Sequence, residues 1–138
     1  MRIPTTDEVV AVRVLDPVLL LAGKIRNAVD IEQDRVEKPR QDLKHVAMLV
    51  LCAPLFLEDL RGQTPGRREQ MGVCGEYITM LAALKNTYSG RLFEAQHAGV
   101  IHWKELVPPR IQELAFEAGV KASLRQLTGV GQSRGIGI

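Results

Sequence analysis

Apolar residues in this chain come in bursts divided by charged or Gly/Pro-rich stretches, and the spacing inside each burst predicts the elements. Residues 8 to 15 (EVVAVRVL) are rich in Val, with Arg13 as the one interior charge, and predict a short strand ending at Asp16. Asp16-Pro17 then reads as a helix start. The Asp side chain can accept from free backbone N–H groups, and proline fits the first helical position, where no N–H is needed. The helix that follows, Pro17 to about Asp30, is apolar nearly all round through Val18, Leu19, Leu20, Leu21 and Ala22, and is expected to be the most buried element.

After a charged stretch, Leu43, Val46, Ala47, Val50 and Leu51 recur at helical spacing and predict a second helix from near Pro39 to about Cys52. Pro54 lacks an N–H and crowds the preceding turn, so a kink or break is expected there, with PLFLEDL as a separate short helical piece. RGQTPGRR reads as a loop. A long helix from about Arg67 to Thr87 follows, carrying Met71, Ile78, Leu81 and Leu84 on one stripe. Ser89-Gly90 is read as the cap of a short helix through Leu92, Phe93 and Ala95. Residues 98 to 108 read as an irregular connection, and Pro109 as the start of a last helix with Ile111, Leu114 and Ala115, which either ends at Gly119 or tolerates it and extends through Leu124 and Leu127.

The predicted fold class is therefore mainly α: a multi-helix, bundle-like domain with one short N-terminal strand. With 138 residues there is room for one hydrophobic core, so residues 1–128 are expected to form a single domain and residues 129–138 a Gly-rich flexible tail. Aromatic residues are 4% of the chain, which leaves the core to Leu, Val, Ile, Ala and Met, as suits helices packed on helices. No apolar stretch approaches the roughly 20 residues of a membrane span, and the N-terminus has no signal-like pattern. A cytoplasmic protein with no membrane partner is expected.

Charge changes the picture little. Eighteen basic against sixteen acidic residues give a net charge of +2, too balanced for an electrostatic footprint on nucleic acid, which is not an expected partner. Cations do gather locally at Lys24, Arg26, Arg35, Lys38, Arg40 and Lys44. This cluster could hold phosphate, although the interleaved Asp30, Glu32, Asp34, Glu37 and Asp42 equally suit a solvated, salt-bridged helix junction. Lys24 stands apart because it interrupts an apolar helix. An ammonium there is either paired with a nearby carboxylate or aimed at a ligand.

The other candidates for chemistry are sparse. His45, His97 and His102 lack the three- or four-residue spacing of a metal site on one helical face, and Cys52 and Cys74 have no neighbouring base, so both read as inert packing residues. Trp103 reads as a core plug. The tail Gly129, Gly131 and Gly135 has no preceding strand and no room for a following helix, so it is not a phosphate loop. No catalytic residue, no metal ligand and no cofactor is assigned.

The run Val12 to Leu15, Asp16-Pro17, Lys24, Arg35, Lys38 and Asp42-Leu43 resembles the region after the catalytic sheet in nucleotidyltransferase-like proteins of the polymerase-β superfamily, including relatives of the AbiE-type toxins. The resemblance covers about residues 9 to 60 and, more faintly, the helical remainder. The superfamily's Gly-Ser turn and paired metal-binding carboxylates have no counterpart in this chain, and two-metal phosphoryl transfer needs those carboxylates. The resemblance thus implies a helical half standing alone, non-catalytic, acting as a homodimer or through a protein partner. In the alternative, Lys24, Arg35 and Lys38 contact nucleotide phosphate, with Asp42 supporting Lys24, and the module complements a catalytic half on another chain.

Overall fold

The computed structural model describes residues 16–31 and 41–129. Among the described residues six α-helices and one 3-10 turn follow each other: α1 (Pro17–Asp30), α2 (Asp42–Gln63), α3 (Arg67–Asn86), α4 (Tyr88–Gln96), the 3-10 turn Trp103–Leu106, α5 (Pro109–Gln112) and α6 (Ala118–Thr128). The described residues contain no strand, so the fold is mainly α, a multi-helix domain. The strand expected at residues 8 to 15 lies outside the described residues, as do Arg35, Lys38 and residues 130 to 138 of the tail.

Helix α1 starts as its sequence dictates. Asp16 Oδ1 accepts from the backbone N–H of Val18 at 2.9 Å and of Leu19 at 3.3 Å, and Pro17 takes the first helical position. The second carboxylate oxygen accepts from the Tyr77 hydroxyl at 2.6 Å, which ties the start of α1 to α3. The buried stripe of α1 is Val18, Leu21, Ile25 and Ala28, while Leu19 is 58% exposed. The helix is therefore amphipathic in place, and its apolar excess is not all used inside.

Helix α2 departs from expectation. It begins at Asp42 rather than near Pro39, Gln41 being its N-terminal boundary residue, and it continues unbroken to Gln63 with Pro54 in its interior. One backbone hydrogen bond is forfeited at Pro54, but Ala53 and Leu57 are fully buried on either side of it, and their packing holds both halves in one helix. The separate PLFLEDL piece is absent. Burial also corrects the stripe: Val46, Ala53 and Leu57 face the core, whereas Ala47 and Leu51 face outward. The loop that follows shrinks to residues 64–66, since Arg61 to Gln63 close α2 and Arg67 opens α3.

Helix α3 buries Cys74, Ile78, Leu81 and Ala82, with Met71 and Leu84 half-buried beside them. Its junction with α4 is a single residue, Thr87. That residue, not Ser89-Gly90, caps α4, its Oγ1 accepting from the Gly90 N–H at 3.0 Å. Gly90 sits inside the first turn, where an added Cβ would collide with the Leu84 carbonyl oxygen; only glycine fits so sharp a corner. Trp103 is buried as a core plug, with its indole N–H donating to Glu94 Oε1 at 3.2 Å. The predicted last helix divides in two. The short α5 ends at Gln112, Ala115 is exposed, and α6 begins only at Ala118, with Gly119 inside it. Gly129 ends α6 in the left-handed conformation (φ 79°), its N–H donating to the Arg125 carbonyl at 2.8 Å.

In space α1 lies along α2 and touches α4, and α3 lies along α6. Phe56 of α2 meets Tyr77 of α3 edge to face at 5.2 Å. The C-terminal end of α3 is fastened to α6 by Lys85 Nζ donating to the Gln126 carbonyl at 2.6 Å and by the Asn86 amide donating to Gln126 Oε1 at 2.8 Å.

Candidate functional site: the groove and outer face of helix α2

The packing of α1 along α2 leaves an apolar groove of about 320 Å³ between them, lined by Pro17, Leu20 and Lys24 from α1 and His45, Met48, Leu49 and Cys52 from α2. These residues share it because Val18, Leu21 and Ile25 of α1 and Val46 and Ala53 of α2 are consumed by the core. Pro17, Leu20, Lys24, His45 and Cys52 each stand next in sequence to one of these, about 100° around the helix, and so flank the seam.

At this groove Lys24 meets Asp42, Nζ to Oδ1 at 3.3 Å, across eighteen residues of sequence. Asp42 is 1% exposed, the one buried charged residue among those described, whereas the Lys24 side chain keeps 30% exposure. A carboxylate in the first turn of a helix is favoured by the unpaired N–H groups there, and the neighbouring ammonium adds to this. Of the two roles open to Lys24 in the sequence, pairing with a carboxylate is the one the geometry displays. Of the four residues assigned to phosphate, the structure brings Lys24 and Asp42 together; Arg35 and Lys38 are outside the described residues.

His45 lines the same groove, and its Nδ1 is buried with no hydrogen-bond partner. Cys52 is exposed, not an inert packing residue, while Cys74 is fully buried and its thiol is pushed up by desolvation, with smaller effects from Arg61 and Glu58. Among the described residues no three His, Cys, Asp or Glu side chains converge as metal ligands, and no helix is long and apolar enough to cross a membrane.

The groove opens onto the outer face of α2, a feature that residue spacing alone left unnoticed. Met48, Leu51 and Leu55 are 58%, 72% and 71% exposed, and they recur three and four residues apart on the side of α2 turned away from Val46, Ala53 and Leu57. Large apolar side chains scattered singly are ordinary on a protein surface; three aligned over two turns beside an apolar groove form a patch. A second, larger groove of about 700 Å³ lies between α3 and the stretch from Ala115 into α6, lined by Met71, Met80, Phe116 and Val120 and by the charged Arg68, Glu76 and Glu117.

Comparison with family models, with curated proteins and with solved structures returns no match to this chain.

Proposed function

We propose that this chain is a helical interaction domain without catalysis of its own, acting through self-association or through a protein partner. The observation that carries this reading is the outward stripe Met48, Leu51 and Leu55 on α2, continuous with the groove against α1. Covering such a patch removes apolar surface from water, the dominant favourable contribution in most protein associations. A second copy is the simplest cover, because most soluble oligomers are closed homo-oligomers. On the resemblance to nucleotidyltransferase-like proteins, the domain would stand where their helical half packs on the sheet. A reducing, cytoplasmic setting accords with an exposed free Cys52. Light scattering across a concentration series tests the reading. A mass rising to that of a dimer supports it, while a constant monomer that also retains no protein partner on affinity capture overturns it.

A nucleotide-binding reading has one observation in its favour: Lys24 lines the groove and is partly accessible despite its ion pair with Asp42. It expects ATP or GTP to raise the melting temperature of the wild type and not of Lys24→Ala, since a ligand bound only by the folded state stabilises it. No shift with either nucleotide at millimolar concentration eliminates it.

A further inference from the structure

We infer that the outer face of α2 is self-complementary and pairs two copies of this chain antiparallel, about a two-fold axis passing between Leu51 and Cys52. The inference rests on the self-association reading and specifies its geometry. Its basis is the order of residues along one helix face. Reading outward from the midpoint between residues 51 and 52, Met48 and Leu55 are equidistant from it, and so are Lys44 and Asp59. An antiparallel two-fold therefore sets Met48 opposite the partner's Leu55 and Lys44 opposite the partner's Asp59, with each contact made twice.

The apolar part of this seam is short, and the charges at its ends have opposite sign. Lys44 and Asp59 are both exposed, and neither forms an ion pair among the described residues; Asp59 accepts only from the Gln63 side-chain amide, at 2.8 Å. They cannot reach each other within one molecule, because fifteen residues of α-helix separate them by about 22 Å. A parallel arrangement would instead bring Lys44 against the partner's Lys44 and Asp59 against the partner's Asp59, two like-charge contacts. The three- and four-residue spacing of Met48, Leu51 and Leu55 is also that of helices meeting side by side with interlocking side chains.

The exposed Cys52 reports on the arrangement. It lies half a residue from the axis, on the groove side of the stripe, so the two copies of Cys52 sit on the same side of the seam and close together. Cys74 is buried and does not compete for a reagent.

Sedimentation velocity of the whole chain, with circular dichroism to confirm retained helix, tests the inference through the charges. Wild type is expected to dimerise. Leu51→Glu is expected to raise the dissociation constant at least about tenfold, an exposed position where the fold tolerates the change. Lys44→Glu and Asp59→Lys should each weaken the dimer, and the double variant Lys44→Glu/Asp59→Lys should recover it, as contact between residues 44 and 59 of different copies requires. A short bis-maleimide should join two wild-type chains through Cys52 and fail with Cys52→Ser. A dimer indifferent to Leu51→Glu, or a double variant no better than the singles, overturns the antiparallel seam and leaves self-association by another face. A monomer at all concentrations overturns the seam together with the self-association on which it rests, and leaves a different protein as the cover of the stripe.

Discussion

Tyr77 shows how one side chain joins local to tertiary structure. Its hydroxyl donates to Asp16 Oδ2, and its phenol is pushed up to about 12, first by burial and then by the bond to a carboxylate that stabilises the protonated form. In the unfolded chain a tyrosine releases its proton near 10. The folded state therefore holds the proton more tightly, so the contribution of this group to stability is fully present below about pH 10 and is lost as the pH rises towards 12. Tyr77→Phe is expected to flatten the fall in stability over that interval, as followed by urea unfolding at a series of alkaline pH values. A second residue-scale expectation concerns the thiols. One of the two cysteines, Cys52, should react with an aromatic disulfide reagent in the native protein, and Cys74 only after denaturation, because burial both shields it and disfavours its thiolate.

At the scale of elements, the features legible in the sequence were those with a local cause. The Asp16-Pro17 start, the extent of α1 and the stripe of α3 follow from capping chemistry and apolar period, which neighbouring residues determine by themselves. Helix α2 did not yield to the same reasoning. The penalty of an interior proline is local, but the packing of α2 on α1 and on α3 that offsets it joins elements distant in sequence. It follows that Pro54→Ala, which restores a hydrogen bond in a helix already formed, should stabilise the protein by about 1–3 kcal/mol, read from the denaturant midpoint. A loss of stability would mean that the proline ring itself packs usefully. The cap of α4 lies two residues before Ser89-Gly90 for a related reason: Gly90 resembles a helix boundary in sequence, yet it is required by the closeness of the Leu84 carbonyl at the corner.

For the whole molecule, the candidate site was legible only in part. Lys24 drew attention as a charge in an apolar helix, but its pairing with Asp42 depends on how α1 lies along α2, which no spacing encodes. The outer stripe of α2 was harder still. Leu43, Val46, Ala47, Val50 and Leu51 all fit one helical period, and only tertiary packing decides that Val46 goes inward and Leu51 outward. Removing the ammonium with Lys24→Met should cost about 1–3 kcal/mol in chemical denaturation. That is below the 3–5 expected for a fully enclosed pair because Lys24 is partly solvated, whereas Asp42 would be left buried without this partner.

The double use of Asp16 makes the residue before α1 as much a part of the helix packing as any residue inside it. One oxygen begins α1 and the other anchors it to α3, so a chain trimmed to start at Pro17 loses a helix start and a cross-helix tie in one cut. A fragment that begins at Asp16 is therefore expected to be more stable than one that begins at Pro17, although the helix itself starts one residue further on.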